Sequence, residues 1–418
     1  MERAGEPGRD RLAAVLGLLG VALFATCLDN YAYLAWSAPA PINAVEAFAL
    51  AALVVLALEP RRPLSLWRSP VAAWLGFYFL LTSLWALWMR SSRPLVEQAL
   101  YDRYRSMGFL ASFLILFTVG PRRLFARAMA GACAFTAAVN VAEMFGLVRF
   151  AGSDDLGRIA GRAGGLFINP NGAGQAIVLG LAVVLPRLER RWRAPLLLVG
   201  ALGVAATFSR GCELSLGILI AWLLWRKEVP GWPLALATLV IAGFLLRGSG
   251  TLSALLESSG ALNDNTWARL HFASDDSGRA ELALKAWRLF TDAPLLGNGI
   301  GATIDWAEAN SSHNQFLNLA ADHGVLGLLA FPALGLAIAA SGRDAGGFAL
   351  VLMIAGMFSH NLLEDRATLL AIAFAAAGGP GWAPVAAEPE LPGARGGDRE
   401  GTPQHLDQRR SHAGSVQV

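Results

Sequence analysis

The sequence predicts an all-α polytopic membrane protein of about twelve spans, and three observations predict it. Of its 418 residues 55% are hydrophobic and only 16% charged, with a mean hydropathy of +0.47, whereas soluble domains carry about 25% charged residues. Apolar runs close to the ~20 residues that cross a bilayer recur from Leu12 to Phe374. A chain inside hydrocarbon must satisfy its own backbone, which makes those runs helices.

The expected spans lie near residues 12–28, 41–59, 70–89, 106–120, 124–148, 170–186, 194–208, 211–225, 231–247, 314–340, 346–360 and 367–378. Together they define a transmembrane domain over 1–378, with a loop at 248–312 inside it and a tail at 379–418. The first span has charges at 1–11 before it and Ala38-Pro39-Ala40 after it, the outline of a cleaved signal. Eleven further spans favour a retained helix. The segments 194–208 and 211–225 are short, and one longer span is the alternative. Segment 93–106 mixes Leu95, Ala99 and Tyr101 with charges and reads as a short interfacial helix or a plain loop. The tail is rich in Gly, Pro, Glu and Arg and reads as disordered and cytoplasmic.

With the N-terminus in the cytoplasm, 20 of the 34 Lys and Arg residues fall on the cytoplasmic side. The sign obeys the positive-inside rule, but later outer segments are rich in arginine, an excess that asks for an outward-facing anionic partner. The net charge of +3 is small and the basic residues do not cluster, which excludes a nucleic-acid track. Cys27, Cys133 and Cys212 are scattered, giving neither a disulfide framework nor a metal spacing.

The loop at 248–312 exceeds the ~15 residues of a simple connector. Within it, Leu282, Ala286 and Leu289 recur at helical spacing over Arg279–Phe290. Ser277 or Gly278 can cap that helix, and Asp292-Ala293-Pro294 stops it. Gly297, Gly299 and Gly301 follow without a preceding strand, so they read as flexible backbone beside a site rather than a nucleotide loop.

Four clusters carry candidate chemistry. In "GRAGGLFINPNGAG", Asn169 caps a helix that starts at Pro170, with Asn171 in its first turn and Arg162 nearby. A helix N-terminus beside an arginine binds anions, and ordinary capping with a snorkelling arginine is the alternative. In "TFSRGCELS", Arg210 sits in a short outer turn before Glu213, either as a functional charge or as half of a structural ion pair. In "DDSGRAE", Arg279 opens the loop helix. Asp275 and Asp276 raise a metal reading but lack an evident third ligand, so solvated loop acids are the better reading.

In "SSHNQFLNLAADHGVLG", His313 and Asn314 stand at the mouth of an apolar helix. A neutral imidazole can take a proton from a hydroxyl, and a hydrogen-bonded interfacial histidine is the alternative. Three outer arginine sites in the same half of the chain favour the base. His323 lacks such company and reads as structural. His360-Asn361, with Glu364, Asp365 and Arg366, reads as a solvated outer turn. Arginine forks hold phosphate bidentately. Several outward arginines, one base and no convincing metal site suit a lipid-linked phosphate or pyrophosphate donor.

The run His313-Asn314, nine residues, then Gly324-Val325-Leu326-Gly327 resembles the signature of bacterial O-antigen ligases. "GRAGGLFINPN", "TFSRG" and "SGR…W…PLLGNGIG…SSHNQ" resemble the pattern of the O-antigen ligase and polymerase superfamily over about 160–330. The resemblance implies a C-type (GT-C) glycosyltransferase of twelve spans in the bacterial inner membrane, with a helical periplasmic loop between spans nine and ten. It implies transfer of O-antigen from undecaprenyl pyrophosphate to lipid A–core, at the periplasmic face, with inversion and with neither metal nor cofactor. Arg210 and Arg279 would bind the pyrophosphate, His313 would activate the acceptor hydroxyl, and Arg162, Asn169, Asn171 and Asn314 would assist in binding. The outer loop of about 65 residues is short beside those of some members, which leaves the acceptor open. A sister polymerase or a protein O-oligosaccharyltransferase shares this donor chemistry. A lipid or glycan transporter is the reading from another class, but neither internal symmetry nor paired interrupted helices is evident.

Overall fold

A computed structural model describes residues 9–58, 69–88, 94–150, 162–229, 231–232, 235, 238, 278–304 and 312–377. The tail at 379–418, most of the ninth expected span, and loop residues 248–277 and 305–311 (Asp275 and Asp276 included) lie outside them. Among the described residues all regular secondary structure is helical. The helices are α1 (Arg9–Gly20), α2 (Leu28–Trp36), α3 (Pro41–Leu58), α4 (Pro70–Trp88), α5 (Pro94–Val119), α6 (Arg122–Met144), α7 (Pro170–Val184), α8 (Arg190–Ala206), α9 (Arg210–Trp225), α10 (Arg279–Asp292), α11 (Gln315–Ala340), α12 (Gly346–Gly356) and α13 (Arg366–Ala376).

Four of these, α3, α4, α6 and α11, are long and apolar enough to cross a membrane. A fifth candidate is α1, which continues through a π-helical turn, Val21–Ala25, and then bends by 62° into α2. Cys27 takes a left-handed conformation (φ 59°) at that bend. The side chains of Leu50, Leu87 and Leu336 are 65, 77 and 73% exposed. Apolar surface on that scale is a poor match for water and a good one for lipid tails.

In lipid, helices associate through close packing and buried polar pairs rather than apolar exclusion. Here α7 and α13 form the centre. Ile177, Leu179, Leu181, Leu370 and Ile372 are almost wholly buried. Helix α7 packs on α6, α8, α9, α12 and α13, and α13 also packs on α5. The rings of Phe24, Phe109, Phe113, Phe117, Phe125 and Phe374 form a chain of contacts along α5. Each such pair adds about 0.5–1.5 kcal/mol beyond burial.

The segments 194–208 and 211–225 fall on two separate helices, α8 and α9, rather than on one longer one. Segment 93–106 is neither a separate interfacial helix nor a loop but the start of the continuous α5. Its charges are tolerated because Arg103 turns inward to Asp322 of α11 and Arg105 pairs with Asp102 at 2.9 Å. Arg366 likewise pairs with Asp29 at 2.9 Å. Part of the outer arginine excess is therefore answered inside the protein.

Helix α11 is broken. Gly324 has φ 63° and ψ −144°, which ends the helical hydrogen-bond pattern one turn short of continuity. The loop leaving α10 takes over the released groups. The backbone N–H of Asn298 donates to the Ala321 carbonyl at 2.8 Å, and that of Gly299 to the Asp322 carbonyl at 3.1 Å. Val325 N–H donates to the Pro294 carbonyl at 2.8 Å instead of one turn back. A Cβ on Gly324 would lie 2.5 Å from the Leu295 oxygen, and one on Gly297 2.5 Å from the Asp322 carbonyl. Gly297 thus serves close backbone approach, not the flexible backbone expected from sequence.

Gly324→Ala combines a backbone region that only glycine occupies easily, at about 1–3 kcal/mol, with a clash against Leu295. The variant is expected to unfold several degrees below the wild type in detergent micelles. An unchanged melting temperature would show that the break tolerates a side chain.

Candidate functional site

The candidate residues converge because several helices begin at the same end of the bundle. Asn169 caps α7: its side-chain oxygen accepts from Asn171 N–H at 2.9 Å, and Pro170 fills the first helical position. Ser209 precedes α9, and Gly278 (φ 65°) precedes α10. Asn314 caps α11 by accepting from Leu317 N–H at 3.1 Å. Unpaired N–H groups and the helix dipole make each of these starts electropositive.

A cleft lies among three of these starts, lined by Asn171, Ser209, Cys212, Arg279, Phe358 and Ser359 among others. Its lining mixes polar side chains, the buried Gln175 and Ser215 among them, with the apolar Val178, Leu179 and Ala355. Arg279, half-buried, is the cation that lines it. Arg210 is exposed at the first position of α9, between the cleft residues Ser209 and Gly211.

Arg162 is half-buried beside this cleft rather than extended into solvent. Its Nε donates to the Thr207 carbonyl at 2.7 Å, and Nη2 donates to Asn171 Oδ1 at 2.6 Å. It thereby joins the start of α7 to the turn before α9. The Asn171 carbonyl also accepts from Cys212 Sγ at 3.5 Å.

His313 stands one residue before the α11 cap in a left-handed conformation, φ 49°. It is half-buried, and that burial, with the nearby Arg279 guanidinium, holds its pKa below the usual histidine value. Its ring meets His360 edge-on, with centroids 5.4 Å apart. Burial, then His313, pushes His360 down to about 4. The two imidazoles are therefore neutral at pH 7, and His313 can accept a proton.

His360 departs from its expected solvated turn. Its carbonyl accepts from Asn318 Nδ2 at 3.2 Å, and Gln315 Oε1 accepts from Leu362 N–H at 2.9 Å. The turn at 359–365 is thus sewn onto the first turns of α11. Asp365 is no surface acid either: its Oδ2 caps α13 by accepting from Thr368 N–H at 2.8 Å.

Sequence reasoning missed Glu143. Its buried carboxylate, at the end of α6, accepts from the N–H groups of Gly164 and Gly165 at 2.9 and 2.7 Å. That anchors the loop that presents Arg162, and an acid closing an otherwise apolar span was the available signal. Among the described residues no group of three or more His, Cys, Asp or Glu side chains is placed to hold a metal ion.

Glu143→Ala leaves two buried N–H groups without that acceptor, at a cost of about 1–3 kcal/mol. Glu143→Gln keeps one acceptor oxygen and costs less. Thermal unfolding in detergent should rank wild type above Gln above Ala, and an Ala variant as stable as wild type would remove Glu143 from this role.

No curated protein matches the chain significantly. Residues 194–331, about a third of the chain, match the family model described as O-antigen ligase. That segment runs from α8 through the Arg210 turn, Arg279 and His313 into α11, and over it the chain is similar to the O-antigen ligase family.

Proposed function

We propose that the chain is an O-antigen ligase. It transfers O-antigen polysaccharide from undecaprenyl pyrophosphate to a sugar hydroxyl of lipid A–core, at the periplasmic face of the bacterial inner membrane. The observation that carries the reading is that Arg279 and Asn171 line one cleft at a set of helix N-termini, with a neutral His313 within electrostatic reach of Arg279. The family match over 194–331 supports the same chemistry. In this reading the chain crosses the membrane twelve times, and the segment between spans nine and ten lies outside.

The pyrophosphate sits against Arg279 and Arg210 at the starts of α10 and α9. Arginine forks stay charged and match phosphate oxygens, and helix starts add partial positive charge. Arg162 holds Asn171 at the cleft, while Asn169 and Asn314 contribute by setting the α7 and α11 starts. His313 takes the proton as the acceptor oxygen attacks the anomeric carbon from the face opposite the pyrophosphate. The carbon–oxygen bond to the pyrophosphate breaks with inversion, and the arginines hold the departing charge. Charge stabilisation comes from the arginines, and the reading needs neither a metal nor a cofactor.

A deletion strain tests the reading on a lipopolysaccharide gel. The expected result is lipid A–core without O-antigen, with glycan accumulating on the carrier, restored by the wild-type chain but not by His313→Ala. Core bearing a single repeat would make the chain a polymerase, and an unaltered ladder would exclude lipid A–core as acceptor. Full complementation by a folded His313→Ala chain would refute the base.

The pH dependence has a definite sign. His313 works only when neutral, so transfer falls as pH drops through its depressed pKa. Arg279→Gln removes a charge that depresses that pKa. Besides lower activity, the variant should show the acid limb of its kcat/KM profile at higher pH. An unmoved limb would mean that His313 does not set it.

A further inference from the structure

Arg103, Asp322 and His323 meet where α5 crosses the break in α11. Arg103 is 5% exposed, and Asp322 and His323 are fully buried, so water does not compete for these bonds. Arg103 Nη2 donates to Asp322 Oδ2, and Nη1 lies 2.8 Å from His323 Nε2. A guanidinium only donates, so Nε2 accepts and the ring proton sits on Nδ1. The ring also packs edge-on to Trp85, whose indole N–H donates to the Leu296 carbonyl at 2.7 Å. Tyr78 and Glu364 lie within electrostatic reach of Arg103.

Asp322 does more than neutralise Arg103. Its Oδ1 accepts from Ala302 N–H at 3.0 Å, and its carbonyl accepts from Gly299 N–H. One residue of α11 thus ties α5 to the loop that leaves α10. That loop continues the helix that opens with Arg279, and the half-helix Gln315–His323 opens behind His313. The same half-helix reaches the loop again through Thr303 Oγ1, which donates to Asn318 Oδ1 at 2.8 Å.

We propose that Arg103 is a positioning residue for the transfer reaction: its two-pronged hold on Asp322 and His323 locks the joint between α10 and α11, and so keeps Arg279 and His313 in register. This rests on the ligase reading only in what the register is for. The joint itself stands on the hydrogen bonds above. A charged cluster inside a membrane bundle is costly to keep unless it has a task, and none of these three side chains lines the cleft.

Two variants test the clamp, because Arg103→Ala would strand a buried carboxylate and endanger folding. Arg103→Lys keeps the charge and loses the fork. Arg103→Gln with Asp322→Asn removes both charges together. The readout independent of activity is the pH dependence of His313 modification by diethyl pyrocarbonate, followed by mass spectrometry on the purified full chain. His313 faces Arg279 from α10 and His360 from the α12–α13 turn.

If the joint loosens, His313 loses burial and the neighbouring cation, and its midpoint moves up towards the ordinary histidine value. Glycan transfer to lipid A–core should fall on the order of 10²-fold, the scale of a misplaced catalytic group, with donor KM changed far less than kcat. A merely structural role would lower the amount of active protein and leave the midpoint in place. Folded variants with wild-type midpoint and wild-type turnover would overturn the clamp. A shifted midpoint in a chain whose wild type transfers nothing to lipid A–core would sustain the clamp and overturn the ligase.

Discussion

The interruption of α11 at Gly324 is the constraint on which the rest of the site depends. A membrane helix that breaks releases backbone groups that hydrocarbon cannot satisfy. Here the chain answers with its own backbone: Pro294, Asn298 and Gly299 exchange hydrogen bonds with Ala321, Asp322 and Val325. The cost of the break is thereby converted into a joint. The first half of α11 becomes a short rigid piece fastened to the segment that leaves α10. Arg279 and His313 stand at the far ends of those two pieces. Their relation is set by a junction that neither of them touches.

The site's electrostatics follow from that arrangement. The cation placed to hold an anion is also one that keeps His313 neutral. Burial, and then Arg279, disfavours a positive charge on His313. An anionic group bound against Arg279 would offset this cation, and the basicity of His313 would rise. In the proposed reaction the base would therefore strengthen when the leaving group is in place, and His360, held down to about 4, would not take the proton instead. Binding and proton transfer would there be coupled through one guanidinium.

Much of this was legible in the sequence, and the part that was not has a common cause. The helical fold and most element positions follow from hydropathy alone, because lipid imposes helices. Asn169-Pro170 announces the start of α7 through local cap chemistry, which needs only neighbours in sequence. Arg162 and His313 stood out as polar groups at the ends of apolar runs, and Arg279 as the cation that opens the loop helix. What the sequence concealed was pairing over distance. Arg103 and Asp322 lie 219 positions apart, and Gly164 and Glu143 lie 21 apart. Without those partners segment 93–106 looked like an interfacial helix or a loop, Gly297 and Gly299 looked flexible, and His360 looked solvated. Each reading assumed solvent where the fold supplies a partner.

A single device recurs beneath the loops at this end of the bundle. Glu143 of α6 accepts two backbone N–H groups from Gly164-Gly165, and Asp322 of α11 accepts one from Ala302. Hydrogen bonds to carboxylates are stronger than those between neutral groups, so one buried acid fixes a glycine-rich loop that has few side chains of its own to pack. The choice of acid also sorts charge. Negative groups face inward and hold backbone, while Arg279 and the helix starts keep their positive character towards the cleft. Arg103 fits the same scheme from the other side: by neutralising Asp322 it lets a carboxylate remain buried where the joint needs one. The arginines on this side of the chain thus divide into those that build the site and those that face its ligand, and only the second kind requires an anionic partner.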